Sequence, residues 1–194
     1  MKSMNIQIGN ASIIAHDLRL DTGLEILLFQ IDADQITLEQ GKLEGISADE
    51  ARLTLIITEF ALNSCFHNAP LEGVNDFEIK MLSDRMEVCG KQALIGKLGL
   101  PFKLRGKIVT SEGRTFRLSL TEAEIAHSIS LPEFMVNTIG ERINANIASH
   151  FDIKLLPVPA ELTSITIEPG RMILKAKILN SKVLTGEVRQ ITAS

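Results

Sequence analysis

Histidine and cysteine are the residues of this chain best suited to metal binding, and they are scattered along it. No two of the four histidines stand four residues apart, the spacing that would place two ligands on one helix face. Cys65 and His67 are two residues apart, and on a helix such side chains point about 160° from each other. We therefore expect no metal site and no cofactor.

The residue patterns of common catalytic sites are missing as well. Gly96 and Gly99 lie within a strand pattern that no helix follows, so they do not form a phosphate-binding loop. No nucleophile-elbow sequence occurs, and the carboxylates fall mainly on the predicted outer faces of strands. These observations disfavour an enzyme.

Basic residues alternate with apolar ones over residues 96–108, as in a strand with one charged and one apolar face. Residues 91–117 hold seven basic side chains and one acidic side chain, a local net charge of +6, whereas the whole chain carries −4. We expect the basic face to contact an anionic surface, most simply an acidic membrane leaflet, or to be a solvated face that protects a strand edge. Pro101 lacks a backbone donor, which predicts an edge strand or a bend. The basic residues are Lys97, Lys103, Arg105 and Lys107, and the apolar ones are Leu98, Leu100, Phe102, Leu104 and Ile108.

One long helix is predicted between Ser130 and Phe151. Ser130 and Glu133 have the spacing of a capping box, so the helix should begin near Leu131. The side opposite the apolar one, or its edge, carries Glu133, Asn137, Glu141 and Asn144. The apolar side carries Met135, Val136, Ile139, Ile143, Ile147 and Phe151.

Two polar side chains, Asn146 and His150, project onto the apolar side near the end of this helix. They indicate either a polar mouth to an apolar groove or a solvated last turn, and the second interpretation is favoured.

Strand alternation dominates elsewhere. Residues 5–57 predict about three to five strands, residues 58–66 a short helix capped by Thr58, and residues 77–88 and 165–178 two hairpins. Residues 123–129 are expected to be extended. A helix and a sheet that each have one apolar face must pack together, which predicts one α+β domain over residues 1–180 and a loose tail over 181–194.

Composition excludes several classes of protein. The chain is 23% charged and 45% hydrophobic, as in globular proteins, and no apolar run is long enough to cross a bilayer. It has no Trp and no Tyr, which together with its net acidity opposes nucleic-acid binding. No signal sequence is visible, so we expect a protein that is cytoplasmic or peripheral to the membrane, with Cys65 and Cys89 as free thiols.

Four segments together resemble the bacterial LmeA-like phospholipid-binding domain family, which is related to the tubular lipid-binding (TULIP) fold. The resemblance covers roughly residues 11–178 and consists in the order of a short helix, a basic and apolar strand, a helix that starts with Leu-Pro, and a final hairpin. The segments are LTLIITEFALN, LIGKLGLPFKLRGKI, SLPEFMVNTIGERIN and LPVPAELTSITIEPGRMILKAKI.

The resemblance implies a highly curved antiparallel sheet wrapped around one long helix, with a short second helix and apolar space for acyl chains between helix and sheet. It also implies lipid binding without catalysis. Members are commonly exported or anchored in a membrane, which leaves the compartment open. The alternative is a structural or protein-interaction domain with a fully packed core, and the oligomeric state is unknown. The residues that we expect to contact the lipid are Met135, Ile139, Ile143, Ile147, Leu98, Leu100 and Phe102, with Asn146 and His150 near its head group.

Overall fold

The computed structural model describes residues 5–34, 36–39, 46–47, 50–68, 71–93, 99–125, 129–130, 133–156 and 158–179. These residues form strands, two α-helices and one 3-10 turn over Ile153–Leu155. The helices are α1 (Glu59–Asn68) and α2 (Glu133–His150). The strands are β1 (Asn5–Ile8), β2 (Ala11–Arg19), β3 (Glu25–Asp34), β4 (Ile36–Glu39), β5 (Ile46–Ser47), β6 (Glu50–Thr58), β7 (Val74–Leu82), β8 (Arg85–Ala93), β9 (Gly99–Ser111), β10 (Thr115–Ile125), β11 (Ile129–Ser130), β12 (Ala160–Glu168) and β13 (Arg171–Ile178).

The described strands pair antiparallel in three sheets. Sheet I has the order β12-β13-β6-β3-β2, sheet II the order β11-β10-β9-β8-β7, and sheet III the order β1-β4-β5. The predicted α+β class and the predicted alternation are confirmed, because buried and exposed residues alternate along β3, β6 and β9. The first 58 residues contribute six described strands, one more than the upper end of the expected range.

The expectation of one curved sheet needs correction, because the strands divide between two five-stranded sheets and a smaller one. The division between sheets I and II falls at α1, which follows β6 and covers the edge of β7. Asn63 on α1 accepts a hydrogen bond from the Ile79 N–H and donates one to the Ile79 carbonyl, both at 2.8 Å. The carboxylate of Glu59 accepts a bond from the Met81 N–H at 2.6 Å. These helix side chains occupy the groups that a neighbouring strand would need, so sheet II ends at β7.

The predicted edge position of Pro101 is wrong. β9 is the central strand of sheet II, with β8 on one side and β10 on the other. Pro101 lies opposite Lys91 of β8, one residue before Phe102 forms the outermost pair between β9 and β10. A proline is tolerated there because, among the described residues, it stands beyond the last pair with β10 and no backbone N–H is needed for that ladder.

The helices match their predictions except at their ends. The Thr58 hydroxyl accepts a hydrogen bond from the Ala61 N–H at 3.1 Å, as expected of a capping residue, and α1 extends to Asn68. The structure describes α2 from Glu133, and the predicted start near Leu131 stays a prediction because Leu131 lies outside the described residues. Ser130 belongs to β11, where it pairs with Glu124.

One hydrophobic cluster joins α1, α2 and the two five-stranded sheets, and it includes Leu55, Ile79, Leu104 and Ile143. Cys65 is buried in this cluster, and burial raises the pKa of its thiol. The described helices include none that is both long and apolar enough to cross a membrane. The division into residues 1–180 and a tail stays a prediction, since residues 180–194 lie outside the described ranges.

Candidate functional site

The apolar face of α2 packs against sheet II. Asn144 accepts a hydrogen bond from the Leu118 N–H at 2.7 Å and donates one to the Leu118 carbonyl at 3.1 Å. Asn144 therefore lies at the edge of the apolar face and holds the helix against β10. Near Gly140 the approach is so close that an added Cβ would stand 2.9 Å from Leu120 Cδ1. The later residue of α2, Asn144, contacts the earlier residue of β10, Leu118, and Gly140 contacts Leu120, so α2 is antiparallel to β10.

The three isoleucines of α2 that are predicted to contact a ligand are buried in this interface. Ile139, Ile143 and Ile147 are at most 2% exposed, and Phe102 on β9 is buried as well. The Phe102 ring lies over Gly90, where an added Cβ would stand 2.8 Å from Cζ. Side chains therefore occupy the central and C-terminal parts of the α2 face.

Burial decreases toward the N-terminal end of α2. Ile139 is 1% exposed, whereas Val136, one turn earlier on the same face, is half-buried. Because α2 and β10 are antiparallel, Val136 lies toward Ala123, which is also half-buried. Leu100 is half-buried near the same end of β9. We call the half-buried residues Leu100, Leu120, Ala123 and Val136 the apolar mouth.

Asn146 and His150 lie at the opposite end of α2, and the structure brings them together. His150 Nδ1 donates a hydrogen bond to the backbone carbonyl of Asn146 at 2.8 Å. The His150 ring stacks on Phe66 of α1 with centroids 6.4 Å apart, and its carbonyl accepts a hydrogen bond from the Thr22 hydroxyl at 2.7 Å. Phe151, which follows, is 1% exposed. The contact of Asn146 and His150 with a head group stays a prediction.

The strand β9 carries its basic residues on the outer face of sheet II, as predicted, but two of them are paired. Arg105 Nε lies 2.7 Å from Glu87 Oε2 on β8, and Arg105 Nη1 lies 3.0 Å from Glu122 Oε2 and 3.6 Å from Glu124 Oε1 on β10. Lys103 Nζ lies 3.4 Å from Glu87 Oε1.

Burial of Glu87 by itself would raise its pKa, but the hydrogen bond from Arg105 and the charge of Lys103 outweigh burial and lower it. The same carboxylates raise the pKa of Arg105, so its charge is fixed. The sequence missed this neutralisation because Glu87, Glu122 and Glu124 lie outside residues 91–117 and reach the basic residues only through strand pairing.

Lys107 is exposed and, among the described residues, has no ion pair. Two further arginines stand beside it: Arg117, which was counted in the basic stretch of residues 91–117, and Arg85, which lies outside that stretch. Met86 pairs with Gly106, so the preceding Arg85 stands next to Lys107 across the strands. Lys107 also pairs with Ser119, two residues from Arg117 on the same face of β10. We call Arg85, Lys107 and Arg117 the cationic row.

Lys97, Leu98 and the side chain of Met135 lie outside the described part of the structure.

Two surface hollows lie on other faces. The first pocket, of about 510 Å³, lies on the outer face of sheet I near Arg52 and Lys175. The second, of about 770 Å³, lies between α1 and β7 near Phe60. Neither is lined by α2. No three His, Cys, Asp or Glu side chains of the described residues form a group that could hold a metal ion.

Comparison with known proteins gave one match. The sequence model of the family described as LmeA-like phospholipid-binding matches residues 3–177, which is most of the chain. No curated protein and no solved structure matches.

Proposed function

Because this chain belongs to the LmeA-like phospholipid-binding family, we propose that it holds an acyl chain of a phospholipid between α2 and sheet II. The acyl chain enters at the apolar mouth and extends along the α2 face toward Ile139, Ile143 and Ile147, with Leu98, Leu100, Phe102 and Met135 along its path. The protein performs no chemistry on the lipid. The arrangement is TULIP-like in our proposal, with α2 and the sheets forming one lipid-binding domain.

The observation that carries this proposal is the gradient of burial along α2. The apolar face continues from the buried Ile139 to Val136, which is only half-buried. An exposed apolar surface next to a buried one gains free energy when an acyl chain covers it, by about 25 cal/mol per Å² of apolar area. A ligand that starts at this end displaces the fewest packed side chains.

The alternative is a domain with a fully packed core and no ligand, and the nearly complete burial of Ile139, Ile143 and Ile147 favours it. Native mass spectrometry of protein purified gently from cells separates the two. Adducts of lipid mass support lipid binding, and a spectrum of apoprotein alone supports the packed core.

The substitution Val136→Trp tests the position of the mouth. An indole at this half-buried position would fill the space that the acyl chain enters, so we expect uptake of a fluorescent fatty acid to fall by about tenfold. Asn137→Trp is the matched control, because Asn137 is exposed and its side chain lies about 100° around the helix from that of Val136. Equal uptake by the two variants and the unmodified protein would place the ligand elsewhere.

We also propose that the protein docks reversibly on anionic membranes through the cationic row. Arg105, which was predicted to take part, is left out of this contact because acidic side chains neutralise it. Lys97, Lys103 and Lys107 stay within this hypothesis, with Lys107 as the residue that the described charges support best. Like charges on adjacent strands repel each other, and an anionic surface removes that cost.

A further inference from the structure

Three of the four edges of sheets I and II are covered. At β7, Asn63 and Glu59 bind the backbone of Ile79 and Met81. At β10, β11 pairs only with Glu124 and Ile125, and Asn144 binds both backbone groups of Leu118.

The edge of sheet I at β12 is covered by two turns. The Leu162 N–H donates to the Gly113 carbonyl at 2.7 Å, and the Asp84 N–H donates to the Ile167 carbonyl at 3.3 Å. Side chains of helices and backbone groups of turns thus satisfy strand edges that would otherwise pair with another chain.

The fourth edge, at β2, differs. Among the described residues, β3 is the one element that forms backbone hydrogen bonds with β2. Two consecutive isoleucines of β2 are exposed, Ile13 by 52% and Ile14 by 54%. Residues 10–16, NASIIAH, contain no acidic residue, Lys, Arg or Pro, so the usual means of protecting an edge are missing.

The side chains of β2 also continue the inner layer of sheet I. Ile13 pairs with Ile31 of β3, and Ala15 pairs with Phe29; both partners are buried. Side chains of paired residues lie on the same face, so Ile13 extends the core face of the sheet beyond the residues that cover it. Ile14 points to the opposite face. A strand that adds to β2 must therefore be apolar on both faces.

We infer that the occupant of this edge is a second copy of the chain, paired antiparallel through β2 around a two-fold axis. With Ile14 on the axis, Ile13 stands opposite Ala15 of the other copy and Ser12 opposite His16. This register keeps inner-face residues on the inner face and sets no charge against a like charge. Asp17 has a positive φ of 55°, which interrupts the regular strand conformation just beyond this segment, although β2 pairs with β3 again at Leu18 and Arg19.

Analytical ultracentrifugation over a range of concentrations tests the dimer. We expect the unmodified chain to associate reversibly and Ile14→Lys to weaken the association about tenfold or more, because two ammonium groups would meet at the axis. Leu155→Lys is the matched control, since Leu155 is 48% exposed in the 3-10 turn, and it should associate like the unmodified chain. Thermal unfolding verifies that both variants are folded.

Cross-linking tests the two-fold axis independently. In a Cys89→Ser background, Ile14→Cys should form a disulfide-linked dimer on mild oxidation, because facing residues of antiparallel strands lie within disulfide distance. Leu155→Cys should remain monomeric. A chain that stays monomeric at every concentration, or an Ile14→Lys variant that associates as strongly as the unmodified chain, overturns the proposal; either result would assign the edge to a different partner or to the residues outside the described ranges.

Discussion

Individual side chains in this protein form ion pairs and hydrogen bonds between strands that the sequence pattern of each strand does not predict. Arg105 is the centre of one such set, because it bridges Glu87 on β8 to Glu122 and Glu124 on β10. Glu87 is 8% exposed, so its ionised form depends on Arg105 and Lys103. A stretch that is strongly basic in the sequence therefore lies, in the folded protein, within a network of paired basic and acidic side chains.

The lowered pKa of Glu87 predicts a specific dependence of stability on pH. A carboxyl whose folded-state pKa lies below its ordinary value of 4.5 stabilises the fold fully above that pH. This contribution is lost as the pH falls from 4.5 through the folded-state pKa. Urea unfolding at several pH values should therefore show a smaller loss below pH 4.5 in Glu87→Gln than in the unmodified chain. Glu78→Gln, an exposed change on the same face, should keep the full loss.

At the scale of secondary structure, each helix contributes an asparagine that binds a strand edge of sheet II. Asn63 and Asn144 make the same pair of hydrogen bonds, one to Ile79 and the other to Leu118. The amide group presents one donor and one acceptor side by side, as a neighbouring strand would. Each asparagine thereby fixes its helix at one position along one strand, and the apolar face of the helix is held against the apolar face of the sheet at that position.

Replacing Asn144 by Ala should destabilise the fold by about 1 to 3 kcal/mol, because the N–H and the carbonyl of the buried Leu118 would lose their partners. The free energy of unfolding from urea titration measures this cost. Asn137→Ala, on the exposed side of the same helix, should change it by no more than about 0.5 kcal/mol. An equal effect of the two substitutions would mean that water replaces Asn144 at the strand edge.

At the scale of the whole molecule, the face of sheet II that packs against α2, where we propose that the lipid binds, is opposite the face that carries the cationic row. The inner face of β9 carries Phe102 and Leu104 toward the core, and its outer face carries Lys107. A protein that rests on a membrane by its outer face would keep the mouth at the end of α2 free to exchange lipid. Net acidity elsewhere would orient the molecule, since the chain as a whole carries −4.

Sedimentation with liposomes tests this orientation. Binding should rise with phosphatidylglycerol content and fall with salt, because each cation near an anionic bilayer contributes about 1 kcal/mol and is screened within about 10 Å. Lys107→Glu with Arg117→Glu should weaken binding about tenfold or more. The charge-matched control is Lys175→Glu with Lys177→Glu, two exposed residues of β13 in sheet I. If both double variants bind as the unmodified chain does, the cationic row is a solvated strand face.

Most of the helices and strands, and the family, could be predicted from the order and type of the residues. Period-two alternation depends only on the pleat of a strand, and the apolar face of α2 only on the helical repeat, so both were predictable from local geometry. The order of these elements was enough to indicate the LmeA-like family, which the match over residues 3–177 confirms. Asn63 and Asn144 looked like ordinary helix residues, because nothing local shows which strand edge a side chain will reach.

Three features could be read only from the folded chain: how the strands divide into sheets, which basic residues are neutralised, and which strand edge has no partner among the described residues. Each of these depends on strand register, which brings together residues far apart in the chain, as it does for Glu87, Arg105 and Glu122. A charge count along the chain therefore cannot separate the paired Arg105 from the exposed Lys107. Burial along α2 likewise depends on where β10 ends, so only the packed structure distinguishes the filled centre of the apolar face from its mouth at Val136.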